Sequence, residues 1–323
     1  MSRVASFGSV NVDHVRYCDS GWLDDAAAEY AWFPEPGETV AVESVPVDFA
    51  EAFHETFLGG KGANQAVAAA SAGADAAFLG AVGVDASEHA VREQLASRGV
   101  DVSGVEEAPG PTGAAYVAVD EGTGENHIAI VAGANGWMDR AAARRHAEAL
   151  RTADCVVVQN ELPADALLGA LDVLARHHEE TGTRPVVVYD PSPADEHAAR
   201  VLGHECVDVV TPNDGEYARL REGIESFDGV VVRTRGADGV TVTPGTRGLW
   251  TSEAFERRPP GVDPVDTTGA GDVFDGFLAA ELAHDTAMPH AVEMATTAAA
   301  LSTTTEGVQT AVPDRERVRA HLA

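Results

Sequence analysis

The chain has 323 residues, 45% of them hydrophobic, which suits one large α/β domain with an appendage and offers no run near the roughly 20 apolar residues of a membrane span. Acids outnumber bases 52 to 22, and the formal net charge of −30 argues against DNA, RNA or anionic lipid as partners. Three widely spaced cysteines (Cys18, Cys155, Cys206) make no disulfide framework, and no Cys-x-x-Cys or His-Glu-x-x-His spacing offers a metal site.

Val4–Val10 is predicted as the first strand, with Asn11 and Asp13 at its carboxyl end. The opening residues lack the charged head and apolar core of a signal peptide, so cytoplasm is the expected location. Residues 15–58 read as irregular and carry Trp22, Tyr30, Trp32 and Phe33. Gly59-Gly60 then opens a helix over Lys61–Ala72, followed by a strand at Ala76–Val82 and an amphipathic helix at Ser87–Arg98. Thr112–Val131 reads as a β-hairpin around Asp120–Gly124. Short apolar strands at 154–159, 185–189, 207–211 and 229–234 alternate with helices such as Ala164–His177 and Asn213–Leu220. The last third is helical, at Ala270–His284, Pro289–Thr305 and Pro313–Leu322. Valine-rich strands alternating with helices predict a three-layer α/β/α fold on a mostly parallel sheet. Its core is expected over residues 1–14, 59–111 and 132–323, with 15–58 and 112–131 forming a small β lid.

Three segments carry chemistry. Asp266-Thr267-Thr268-Gly269-Ala270-Gly271-Asp272 opens a helix, where unpaired N–H groups and the positive end of the dipole receive an anion. An aspartate beside that hole can take a proton from an attacking hydroxyl. A helix N-cap aspartate after a glycine turn is the plain structural alternative. Leu58-Gly59-Gly60-Lys61-Gly62-Ala63-Asn64-Gln65 also places glycines before a helix, with neither P-loop nor dinucleotide-fingerprint spacing. Lys61 is the only lysine in a chain that otherwise uses arginine, which points to a need for a compact ammonium. Asn11 and Asp13 share one face of a strand and suit the hydroxyls of a polyol, although a turn after a strand would use the same residues.

Together these segments resemble the PfkB carbohydrate kinase family, and within it the ribokinase branch. The resemblance runs in order through Gly8–His14, Pro36–Val40, Gly59–Ala66, Gly124–Asn126, Gly133–Asn135, Thr211-Pro212-Asn213-x-x-Glu216, Thr234-x-Gly236-x-x-Gly239 and Asp266–Asp272. It implies an ATP-dependent kinase for a small neutral sugar, D-ribose first, yielding ribose 5-phosphate. By the resemblance Asp272 is the base, and Gly269, Ala270 and Gly271 form the anion hole. Asn11, Asp13, Gly60, Lys61, Asn64 and Glu161 match the sugar site. Asn213, Thr234, Gly236, Gly239 and Gly271 match the nucleotide site. Glu216 matches the Mg²⁺ element, partly through water, and Asp266 and Thr268 fit a monovalent cation site for K⁺. A homodimer through the lid is implied as well.

The chain departs from the pattern in a longer Asp19–Phe33 segment, in Ala311 where a serine hydroxyl usually contributes to the cation site, and in Asp190 after the strand 185–189. Fructokinase, 2-keto-3-deoxygluconate kinase and nucleoside kinase are the related alternatives, and a non-catalytic sugar-binding homologue is another. An NAD-dependent oxidoreductase lacks its fingerprint here. Besides Lys61, the bases before residue 140 are Arg3, Arg16, Arg92 and Arg98, and Arg16 is the one expected near Asp13. That scarcity favours a neutral sugar over an anionic one. Acidic excess with a single lysine also resembles proteins of salt-in halophiles, whose surface repulsion is screened at molar salt, where the Debye length is about 3 Å.

Overall fold

A computed structural model describes residues 2–322. Its strands in chain order are β1 (Arg3–Phe7), β2 (Asn11–Cys18), β3 (Thr39–Val42), β4 (Glu55–Gly59), β5 (Asp75–Val82), β6 (Val105–Glu107), β7 (Gly113–Asp120), β8 (Asn126–Val131), β9 (Cys155–Gln159), β10 (Val186–Asp190), β11 (Val209–Val210), β12 (Val230–Thr234), β13 (Val240–Thr243) and β14 (Phe255–Arg257). The helices that matter below are α1 (Ser20–Glu29), α2 (Lys61–Ser71), α3 (Arg140–Arg145), α4 (Ala147–Thr152), α5 (Ala164–Thr181), α6 (Asp214–Arg219), α7 (Ala270–Ala283) and α8 (Met288–Ser302).

A nine-stranded sheet in the order β14-β13-β12-β11-β10-β9-β1-β5-β6 forms the centre. It is parallel from β6 to β12, and the antiparallel strands β13 and β14 extend one edge. Alternate side chains of each strand feed opposite cores. Val156 and Val158 join Leu150, Leu167 and Leu171 under α3–α5, whereas Val157 and Val188 join Phe274, Phe277 and Ala295 under α7 and α8. Burial on both faces is why these strands are nearly unbroken valine.

The second sheet has five strands in the order β3-β8-β7-β2-β4. One face buries Cys18 and Ala118 against Leu23, Phe49 and Phe53, with Trp22, Tyr30, Trp32, Phe33 and Tyr116 around them. The Asp19–Phe33 segment therefore packs on the small sheet of its own chain. It is not irregular: Asp19 caps α1, accepting from the Trp22 N–H at 3.0 Å, and the alanine-rich stretch behind it carries the helix. The other face of the sheet presents Asp13, Val15, Tyr17 and Phe57, and Tyr17 and Phe57 stay 54% and 50% exposed.

Three local expectations change. The first strand stops at Phe7, so Asn11 and Asp13 open β2 in the small sheet rather than close β1. The predicted Ser87–Arg98 helix begins only at Val91, where Ala90 turns into the left-handed region at φ 49°. The Val207–Thr211 strand is reduced to two residues, Val209–Val210. All three cysteines are free and buried. No helix among the described residues is long and apolar enough to cross a membrane.

Candidate active site

Three chain crossings bring the polar residues together at the carboxyl ends of β1, β9 and β10. The turn after β4 is forced through Gly60, whose φ of +88° suits glycine and whose missing Cβ would lie 2.6 Å from the Val10 Cα. Lys61 follows on the first turn of α2. Its backbone N–H donates to Glu161 at 3.2 Å, and the Ser9 hydroxyl donates to the same carboxylate oxygen. Its ammonium lies 3.8 Å from Asp272 and 3.9 Å from Asp190.

Asp272 sits on the first turn of α7 and is buried. Asn64 Nδ2 donates to it at 2.9 Å, while Gln309 Nε2 fixes the Asn64 carbonyl at 3.0 Å. Gln65 Nε2 is shared by Asp190 at 3.1 Å and by Asp272 and Asp275 at 3.4 Å. Gln159 donates to the Gln65 carbonyl at 2.6 Å and so sets which end of that amide faces the acids. On the small sheet, Asn135 Nδ2 donates to Asn11 Oδ1 at 2.9 Å and fixes that side chain as well.

One cation thus faces several acids, and their protonation reflects it. Burial first, then the charges of Glu161 and Asp272, push Asp13 up to about 8. Burial also raises Asp190 and Asp275 above the carboxylate range, and Lys61 pulls both back. Burial alone would depress the Lys61 ammonium, but Asp272, Asp190, Glu161 and Glu216 outweigh it and hold the ammonium above its ordinary range.

A second compartment adjoins the first. A cavity of about 460 Å³ is lined by Thr234, Gly236 and Gly239 on one side and by Thr267, Ala270 and Gly271 on the other, with Phe274 and the Pro259–Pro264 stretch as apolar walls. Gly271 lines this cavity and its neighbour Asp272 belongs to the polar cluster, so the N-terminus of α7 joins the two. Gly269 makes that turn at φ +74°, and a side chain there would strike Val308. Asn213 pairs with Thr234 beside the cavity and caps α6. Its side chain and that of Glu216 exchange backbone hydrogen bonds of 2.9 and 2.8 Å. Asp266 ties the loop down, accepting from the Thr268 N–H at 2.9 Å and the Gly307 N–H at 3.1 Å.

The site residues drawn from the motifs lie in or beside these two compartments, whereas Arg16, expected near Asp13, does not. That side chain is three residues from Asp13 along a strand and so projects from the opposite face. It donates to the Ala52 carbonyl and lies 4.7 Å over the Trp22 ring. Residues that sequence reasoning missed are Ser9, Gln65, Asp275 and Gln309, together with the Pro259–Pro264 wall. Gln65 and Ser9 lie inside the quoted motifs, but only the fold shows which carboxylates they touch.

The pfkB family carbohydrate kinase model matches residues 40–315. A ribokinase of Haemophilus influenzae is 29% identical over 320 residues, 96% of this chain and 94% of that protein. A ribokinase of Bacillus subtilis is 32% identical over 300 residues, 90% of this chain and 93% of that protein. The solved structure of a ribokinase from Thermotoga maritima matches with a TM-score of 0.77 at 28% identity, covering 100% of this chain and 99% of that one.

Proposed function

The chain belongs to the pfkB family of carbohydrate kinases, and from that membership we propose that it transfers the γ-phosphoryl group of ATP to the primary hydroxyl of D-ribose. The observation that carries the reading is the position of Asp272. It stands one residue from the cavity lining, tethered by Asn64 and Lys61 to the polar cluster. A sugar hydroxyl held in that cluster meets a carboxylate on one side and the N–H groups of Gly269, Ala270 and Gly271 on the other. Asp272 takes the hydroxyl proton. The N–H groups and the dipole of α7 stabilise charge on the moving phosphoryl group. Asn64, Gln65 and Lys61 orient the base.

Asn11, Asp13, Gly60, Asn64 and Glu161 grip the ring hydroxyls in this reading. The Asn11 carbonyl is held by Asn135, so its amide is left to donate. The nucleotide occupies the 460 Å³ cavity, between Thr234, Gly236 and Gly239 and the apolar wall. Mg²⁺ fits Glu216, which uses one carboxylate oxygen in the cap of α6 and keeps the other for a metal-bound water. No group of three or more possible metal ligands occurs among the described residues. In this reading the ion is carried mainly by phosphate oxygens, whose charge it neutralises. For K⁺, the Asp266 oxygens each keep a lone pair beside Thr268, though Ala311 supplies no hydroxyl. The small sheet acts as a lid, and its uncovered face with Tyr17 and Phe57 suits a second copy of the chain. A cytoplasmic location fits the substrates.

The neutral sugar is favoured because Lys61 is already matched by Asp272 and Asp190 and Arg16 is turned away. Comparing kcat/KM for ribose, 2-deoxyribose, fructose and 2-keto-3-deoxygluconate in molar KCl tests this. Ribose should lead, and 2-deoxyribose should be lower by about tenfold or more, since a buried acceptor loses its donor. A sugar acid ahead of ribose by about tenfold would overturn the proposal.

A further inference from the structure

A strongly basic groove lies on the other side of the central sheet. The almost continuous helical run α3–α4 presents Arg140, Arg144, Ala147 and Arg151 at spacings of four, three and four, which is one helical face. Helix α5 answers with Gly169, Asp172, Val173 and Arg176. These eight residues enclose about 310 Å³. The helices approach closely at Gly169, where an added Cβ would lie 2.9 Å from the Arg140 Cα. None of the groove's residues lines the nucleotide cavity, and α3–α5 and α7–α8 pack on opposite faces of the sheet.

The charge in the groove is unbalanced. Asp172 is the only acid among its lining residues, Arg140 and His204 engage it, and Arg140 also faces Asp165 at 3.5 Å, so Arg140 is already matched. Arg144, Arg151 and Arg176 make no ion pair and no side-chain hydrogen bond among the described residues, and the Arg151 Nε is buried without a partner. This happens in a chain with 52 acidic residues. Arg140 and Arg144, one helical turn apart, also oppose the helix by a few tenths of a kcal/mol. A fold with so many carboxylates has left three guanidinium groups converging on one hollow, where their forked donors match phosphate oxygens.

We propose that this groove is a second, non-catalytic binding site for a small, multiply charged anion of the phosphate class. The test is calorimetric titration of the protein, its nucleotide cavity pre-filled with Mg²⁺–ADP and its sugar site with D-ribose, at an ionic strength where it is folded. One arm uses inorganic triphosphate and the other a pentose 5-phosphate, which separates a free oligophosphate from a phosphate ester. Wild type should show one site in at least one arm. The triple variant Arg144→Gln, Arg151→Gln, Arg176→Gln should weaken it by about tenfold or more, with kcat and KM for the sugar unchanged in the absence of the anion. Exposed Arg176→Gln alone should weaken it measurably, and it decides the matter if the triple variant does not fold. Absence of a site in both arms, or affinity that these variants retain, overturns the proposal.

Discussion

The Lys61 ammonium lies 3.9 Å from the Asp190 carboxylate, and both side chains are screened from bulk water. This accounts for the acid that replaces a neutral residue after the strand 185–189. Asp190 accepts from the Ser192 N–H at 3.0 Å and from Gln65 at 3.1 Å, and it offers the ammonium a second carboxylate beside Asp272. Lys61 is thus held between two acids, so it cannot collapse onto Asp272 alone. An arginine fork would not reproduce that position with its single compact charge.

Asp272→Asn should lower turnover by at least about 10², the usual contribution of a general base, while calorimetric sugar binding persists. The amide oxygen can face either Asn64 or Gln65, not both, so positioning is lost along with basicity. Near-normal turnover in the variant would remove Asp272 from its role.

Asp13 should make the unliganded protein less stable as pH rises. Its folded-state value is raised to about 8 from 3.8, so the folded state holds a proton that the unfolded chain releases. Stability is therefore full below the unfolded value and declines up to about 8. Asp13→Asn removes this dependence. The Tm advantage of the variant should grow from pH 5 to pH 8 and level off above it. A constant difference across that range would show that Asp13 is not carrying the proton.

Salt should stabilise the fold. With a net charge of −30, self-repulsion acts over about 10 Å in 0.1 M salt and about 3 Å in 1 M. Tm measured from dilute buffer to molar KCl is expected to climb, as is activity. A flat curve would count against adaptation to high salt.

Phe49 is the hub of the aromatic group. Its ring centroid lies 5.0–6.3 Å from those of Trp22, Tyr30, Trp32, Phe33, Phe53 and Tyr116. Phe49→Ala should cost about 3–5 kcal/mol in denaturant unfolding of the small sheet and α1. A loss below about 1 kcal/mol would mean that the segment is held by something else.

What the sequence determined by itself is whatever depends on neighbours along the chain. Runs of valine predict strands buried on both faces. Gly59-Gly60 before Lys61 and Gly269-Ala270-Gly271 before Asp272 predict helix openings, and motif order points to the family. Each of these signals is complete within about ten residues. The tertiary structure alone decided matters that join distant segments. Asp13 and Arg16 look alike as polar residues in one stretch, but pairing of β2 with β4 and β7 sends one toward Lys61 and the other onto Trp22. Asp190 and Asp272 are 82 positions apart, and they share Gln65 only because β10, α2 and α7 converge at one end of the sheet. The arginines at 140, 144 and 151 share one helical face by spacing alone, but only the packing of α5 makes that face the wall of a groove. Local backbone preference acts through bonded neighbours. Side-chain partnership, and with it protonation and binding, is set by burial and by the few ångströms that only chain packing supplies.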